Sequence, residues 1–269
     1  MMAVMLESFH DFADQYKVVF GFILASSLAM SALLYLLRYR TIARSPRKDH
    51  RFAPEIFSLF ASMYAFFLGF SIVTLWSNYT ATKSCVVQEA GALLTTYGLS
   101  RTLDGSGAFQ SGLRAYAKSV VDDEWKTMNA SDNMSQHTTE QLSDSWRAFI
   151  AMKPADKGDI SLYTAVGNSL AEVSRNRQLR EQALQGNLYA PIWVILIFGA
   201  LAVLLGLFLC NPEQTKSQVC MEVIVVFLIL SCLFFIQDID TPFSGIITIA
   251  STPFSDAHAA MLTLGGAAP

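Results

Sequence analysis

Four apolar stretches, each about as long as a membrane-crossing helix, constrain this chain more than any other feature. A helix needs roughly 20 apolar residues to cross ~30 Å of hydrocarbon. The stretches cover residues 18–37, 56–77, 189–210 and 219–237. The first two contain no charged residue, and the fourth contains only Glu222. The sequence therefore predicts an all-α membrane protein with four transmembrane helices, in contact with a lipid bilayer.

The composition excludes several classes of function. Charged residues make up 15% of the 269 residues, whereas soluble domains carry roughly 25%. A net charge of −3 argues against binding to nucleic acid. The four Cys and four His residues are dispersed, so no metal site is expected. No phosphate-binding loop, dinucleotide fingerprint or zinc-protease motif is present, and the sequence gives no indication of an enzyme or of a cofactor.

The chain divides into residues 1–77, 78–188 and 189–269, with a helical domain between two membrane hairpins. In the middle segment, apolar residues recur at steps of three and four, which is the period of one helix face. The second span is predicted to continue to about Leu99, and further helices are predicted over 109–125, 138–152 and from Ile160 onward. The segment from Thr241 is predicted to be irregular.

A basic loop between the first two spans predicts the orientation. Residues 38–51 contain six basic residues against the single acid Asp49: Arg38, Arg40, Arg44, Arg47, Lys48 and Arg51. The positive-inside rule places such a loop in the cytoplasm. Both termini and the helical domain are therefore expected outside the cytoplasm.

A polar stripe runs along the second span. It consists of Tyr64, Phe67, Ser71, Thr74 and Asn78, spaced by three and four residues. Polar groups within a membrane tend to face a partner helix or water. Two interpretations follow: hydrogen bonding inside a four-helix bundle, or the wall of a pore.

Small residues also recur at helical spacing in two spans. They are Ala61, Ala65 and Gly69 in the second span, and Gly199, Ala202 and Gly206 in the third. Such residues allow two helix backbones to approach closely. We expect both rows to be packing surfaces between helices.

Six short motifs, in order along residues 33–253, resemble the bestrophin-like family of bacteria and plants. They are Phe67-Leu68-Gly69-Phe70, Trp76-Ser77-Asn78-Tyr79 followed by Glu89-Ala90, Asp123-Glu124-Trp125, Arg177 with Leu179-Arg180, Pro191-Ile192-Trp193, and Asp240-Thr241-Pro242-Phe243-Ser244-Gly245. The last motif is the most specific. The resemblance implies a multi-pass protein of the bacterial inner membrane.

The resemblance also implies a function. Bestrophins proper are pentameric, mainly chloride-conducting channels, and apolar constrictions on their second-span helix narrow the pore. By this comparison the chain is expected to form a homo-oligomer, such as a pentamer, that conducts inorganic ions. The stripe on the second span would line the pore, and Phe67 would be its constriction.

Two features depart from that family. The acidic run that binds calcium in animal bestrophins is absent, since only Asp238 and Asp240 follow the fourth span. Bestrophins also keep their large helical part in the cytoplasm, whereas the basic loop here predicts the opposite. Asp238, Asp240, Pro242 and Gly245 are candidates for a pore mouth or for a simple turn.

The alternative function is a membrane-anchored sensor or scaffold. In that case the helical domain would bind a partner, and the spans would only hold it at the membrane. The two hypotheses differ in their assembly, because one second-span helix per chain cannot enclose water and a pore needs several copies around an axis.

Overall fold

The computed structural model describes residue 17, residues 21–30, 32, 33 and 36, and the ranges 53–152, 157–186, 188–210 and 216–266. Every regular element within these residues is helical, as predicted. The elements are α1 (Gly21–Met30), α2 (Ala53–Ser100), α3 (Gly107–Ser119), a π-helical turn (Val120–Glu124), α4 (Trp125–Ser131), α5 (Gln136–Ala151), α6 (Lys157–Leu184), α7 (Ala190–Cys210), α8 (Lys216–Asp240) and α9 (Thr252–Gly266).

Three helices are long and apolar enough to cross a membrane. They occupy Glu55–Ser100, Ala190–Leu207 and Val219–Asp240, and they coincide with the second, third and fourth predicted spans. The first predicted span, 18–37, overlaps the shorter apolar helix α1. The rest of that span and most of the basic loop that follows it lie outside the described residues.

The chain forms two compact units. The membrane unit comprises Met1–Trp76 and Leu188–Asp238, and the helical unit comprises Ser77–Asn187 and Ile239–Pro269. Helices α2 and α8 each contribute residues to both units. The C-terminal segment thus belongs to the same unit as the middle of the chain.

In the membrane unit, α2 packs closely on α7. The rings of Tyr64 and Phe57 lie directly over Gly199 and Gly206, where any side chain on α7 would overlap them. The Tyr64 hydroxyl donates a hydrogen bond to the Leu196 carbonyl oxygen at 2.9 Å. The predicted small-residue seam of the third span is therefore a real contact at these two glycines.

The corresponding row on α2 is not a packing surface within the chain. Ala65 and Gly69 are exposed, and a Cβ added at Gly69 would meet no atom within 4 Å. The close-packing surface on α2 is instead formed by the rings of Tyr64 and Phe57, which fill the space that the α7 glycines leave.

The helical unit has its core between α3, α5 and α6. Phe109 and Leu113 of α3 and Leu170 of α6 are fully buried, and Phe109 packs against the Phe149 ring of α5 with centroids 5.6 Å apart. Ser135 begins α5 by accepting a hydrogen bond from the Thr138 amide. The predicted helix ends lie within a few residues of the observed ones, because apolar periodicity is strong in this segment.

The C-terminal segment was predicted to be irregular, and this prediction is wrong for Thr252–Gly266, which forms helix α9. Its buried residues Phe254, Ala257 and Met261 are spaced by three and four. They form only a narrow apolar stripe in a stretch rich in Gly, Ala and Ser, so the helical period is weak in the sequence. Packing within the helical unit, rather than local propensity, stabilises this helix.

Candidate functional site

The predicted stripe residues on α2 occupy three different environments. Tyr64 and Ser71 are buried, Phe67 and Asn78 are half-buried, and Thr74 is exposed. Ser71 and Thr74 donate hydrogen bonds to the carbonyl oxygens of Phe67 and Phe70 in their own helix, at 2.9 and 3.0 Å. The stripe therefore does not form one open surface in the chain.

The buried side of α2 explains this result. Leu68 and Leu75 are buried together with Tyr64 and Ser71, at spacings of three and four. The polar groups on this side bond to backbone carbonyls, so that they can be buried without an unpaired donor. Polar residues on one side of an apolar helix can therefore form a packing surface, and they need not face water.

The opposite side of α2 has large side chains that the described residues leave uncovered. Phe66, Phe70 and Val73 are 78%, 62% and 68% exposed. The same spacing continues along the helix with exposed hydroxyl side chains. We refer to the whole set as the outer row: Phe66, Phe70, Val73, Ser77, Thr80 and Ser84. In sequence, its phenylalanines look like ordinary lipid-facing residues, and Phe198 of α7 is exposed to a similar degree.

A buried ion cluster lies within the helical unit. The Arg180 side chain of α6 is fully buried, and it contacts the carboxylates of Glu89 on α2 and Glu124 on the π-helical turn. Arg180 Nη2 lies 2.6 Å from Glu124 Oε1. Arg177 Nη2 lies 2.5 Å from the other Glu124 oxygen and 3.0 Å from Thr139 Oγ1. Two cations and two anions therefore neutralise one another.

The π-helical turn aims Glu124 into this cluster. Val120, Glu124 and Met128 are all fully buried although they are spaced by four residues. In a regular α-helix of 3.6 residues per turn, each step of four rotates by about 40° away from the previous residue. The wider turn at Val120–Glu124 takes up this rotation and keeps the three side chains on one side.

Aromatic side chains complete the surroundings of Arg180. Its guanidinium carbon lies 5.2 Å from the Trp125 ring centroid and 5.6 Å from that of Phe254. The Tyr116 hydroxyl donates a hydrogen bond to Glu89 Oε1 at 2.7 Å. Stacking on aromatic faces suits an arginine that has lost its water.

Burial and neighbouring charges shift the pKa values of two groups in this cluster. Burial lowers the pKa of Arg180, but the nearby Glu89 and Glu124 outweigh this effect and raise it above its ordinary value. Burial and the negative charge of Glu89 raise the pKa of Tyr116 well above its ordinary value. Arg180 therefore stays protonated, and Tyr116 remains a neutral hydrogen-bond donor.

The segment after α8 forms a hydrogen-bonded turn. The Thr241 hydroxyl donates to the Ser244 carbonyl at 2.8 Å, the Ile249 amide donates to the Pro242 carbonyl at 2.9 Å, and Gly245 has φ +128°. Asp238 and Asp240 are both buried. Among the described residues, no group of three or more His, Cys, Asp or Glu side chains could hold a metal ion.

Comparison with known proteins identifies the family. A family model, the Bestrophin-like domain, matches residues 23–254. The chain therefore belongs to the Bestrophin-like family. No match was found among curated proteins.

Solved structures show the same fold. A bacterial Bestrophin homologue from Klebsiella pneumoniae superposes with a TM-score of 0.68 at 16% identity, covering 92% of this chain and 99% of that one. A variant of that homologue gives 0.67 at 16% identity, with 91% and 98% covered. Another membrane protein gives 0.71 at 16% identity, with 93% and 99% covered.

The family's sequence motifs meet in the ion cluster. Glu89, Glu124, Arg177 and Arg180 come from three of the segments that resemble the family, and Trp125 adjoins them. Sequence patterns alone do not reveal this site, because charged residues are normally exposed. Only the resemblance of these segments to the family could have indicated that the four charged residues lie together.

Proposed function

We propose that this protein is an oligomeric ion channel in which several copies of α2 surround a pore. The observation that carries the proposal is the outer row, a line of side chains on α2 that the chain itself leaves open. Membership of the Bestrophin-like family supports it. A single α2 cannot enclose water, so the pore requires a ring of copies, for which a pentamer is the expected size.

The chemistry of the outer row suits a pore with a narrow apolar neck. Phe66 and Phe70 are one helical turn apart, and a ring of such side chains forms a constriction that water leaves readily. Ser77, Thr80 and Ser84 follow, and their hydroxyl groups suit a wider, water-filled part of the pathway. The change from aromatic to hydroxyl side chains coincides with the predicted end of the span at Ser77, so the neck would lie within the membrane and the wider part at its surface.

The polar stripe then has a divided role. We assign Tyr64 and Ser71 to packing inside the chain, while Phe67, Thr74 and Asn78 lie at the edge of the outer row and border the pore. The constriction accordingly moves from Phe67 to Phe66 and Phe70. For Asp240, Pro242 and Gly245 we propose the turn rather than the pore mouth, and we extend the same assignment to Asp238.

The orientation follows from the basic loop. We propose that the protein lies in the bacterial inner membrane with its termini and the helical unit outside the cytoplasm, because six basic residues lie between the first two spans. The ions that pass are inorganic, and the outer row itself carries no charge that would select their sign.

Reconstitution of the full chain tests the proposal. Light scattering of the purified protein in detergent gives the number of copies, and flux assays in liposomes with chloride and with sodium measure conduction. A closed ring that conducts either ion supports the channel. A monomer or simple dimer without flux would contradict it and favour the sensor or scaffold.

A further inference from the structure

A cavity of about 280 Å³ lies within the helical unit, between α2 and the segment that leads into α9. Its wall includes Tyr79, Lys83 and Val87 of α2, and Ile249, Pro253 and Asp256 from the C-terminal segment. Drug-sized ligands occupy cavities of roughly 300–1,000 Å³. This cavity therefore suits a smaller molecule or the headgroup of a larger one.

Two opposite charges line the cavity without pairing. Among the described residues, neither the Lys83 ammonium nor the Asp256 carboxylate makes an ion pair or a hydrogen bond. The ammonium offers three donors and the carboxylate two acceptor oxygens. A ligand that carries an anionic group and a primary ammonium on a short linker would pair with both, and Val87, Ile249 and Pro253 would contact its carbon atoms.

The position of the cavity along α2 indicates the source of such a ligand. The predicted span ends at Ser77, so Tyr79 and Lys83 lie about 3 Å and 9 Å further along the helix axis. The polar headgroup layer occupies roughly 5–8 Å on each side of the hydrocarbon. Tyr and Lys are typical of this layer. The cavity shares no residue with the outer row, but Val87 lies three residues beyond Ser84, so the cavity adjoins the end of that row.

We propose that this cavity binds the headgroup of a phospholipid with a primary ammonium, of the phosphatidylethanolamine type. Lys83 pairs with the phosphate, and Asp256 accepts hydrogen bonds from the ammonium. The same chemistry is offered by a soluble zwitterion such as O-phosphoethanolamine. The inference does not rest on ion conduction, and it holds whether or not the protein is a channel.

Native mass spectrometry of the full-length, delipidated protein tests this assignment. The probes are palmitoyl-oleoyl phosphatidylethanolamine, the corresponding phosphatidylcholine, whose quaternary ammonium cannot donate hydrogen bonds, and phosphatidylglycerol, which has no cation. We expect the ethanolamine lipid to bind ~tenfold more tightly than the other two, as one charge-assisted hydrogen bond provides. Asp256→Asn should remove this preference, whereas Lys83→Gln should weaken the binding of all three lipids, because each of them carries the phosphate.

The control variants are Lys126→Gln and Asp122→Asn, which change exposed charges outside the cavity; both should keep the preference. If the wild type binds the three lipids with equal affinity, this result alone overturns the proposal. A preference that survives in Asp256→Asn, or binding that is unchanged in Lys83→Gln, would also overturn it. Displacement of the lipid by equimolar O-phosphoethanolamine would assign the cavity to a soluble zwitterion instead.

Discussion

The Arg180 guanidinium binds both oxygens of the Glu89 carboxylate, with Nε 2.9 Å from Oε2 and Nη2 3.0 Å from Oε1. Both side chains are fully buried. This two-point contact joins α6 to the C-terminal half of α2. Because the pair lies in a low dielectric, each partner depends on the other to remain charged.

Glu89→Gln should therefore be strongly destabilising. Removing one partner of a buried ion pair leaves an uncompensated charge and costs ~3–5 kcal/mol. The measurement is the free energy of unfolding in detergent, by chemical denaturation. Glu172→Gln is the matched control, since Glu172 pairs with Arg175 at the surface and should change stability little. Equal losses in the two variants would contradict the assigned role of the cluster.

Gly199→Ala should weaken the contact between α2 and α7. An added Cβ would overlap the Tyr64 ring, and overpacking of this kind costs about 1–3 kcal/mol. Thermal unfolding of the oligomer in detergent measures the effect. In the control Gly69→Ala the new methyl group meets no atom within 4 Å, so stability should not fall. If Gly199→Ala does not lower the unfolding temperature, the Tyr64 ring does not pack tightly on Gly199.

Gly245→Ala should destabilise the turn after α8. Its φ of +128° is a conformation that residues with a Cβ rarely adopt, and the strain costs on the order of 1–3 kcal/mol. The comparison is Gly107→Ala, where φ is ordinary and the added methyl group has open space. If both variants unfold at the same temperature as the wild type, the turn does not need the glycine.

Accessibility of position 131 tests the orientation. Ser131 is exposed at the end of α4, so Ser131→Cys should react with a membrane-impermeant thiol reagent in intact spheroplasts if the helical unit lies outside the cytoplasm. The wild type supplies the background, since Cys85 is buried and Cys220 is exposed. Labelling that requires permeabilisation would reverse the proposed topology.

The sequence predicted the helices well where apolar periodicity is strong, as in α3 and α5. It failed at α9, whose apolar stripe of Phe254, Ala257 and Met261 is too narrow to stand out from small residues. Helix α9 forms because the helical unit provides a surface for this stripe, and that surface is built from residues distant in sequence.

The sequence predicted a polar stripe on α2, and the structure places the members of this stripe in different environments. The sequence left open whether Tyr64 faces a partner helix or water, and in the structure its hydroxyl donates to the Leu196 carbonyl oxygen of α7. A sequence shows that a polar group needs a partner but not whether that partner is water or backbone. The same limit applies to Arg180, whose two carboxylate partners lie 91 and 56 residues away in the chain.

Ion flux through reconstituted Phe70→Ala and Phe66→Ala variants tests the central claim most directly. If the outer row lines the pore, removing either ring widens the neck and should raise flux several-fold, because water enters a wider and less apolar constriction more easily. Phe67→Ala, which changes a half-buried ring on the same helix, should alter flux much less. Unchanged flux in both outer-row variants, in oligomers shown to be intact, would contradict the account.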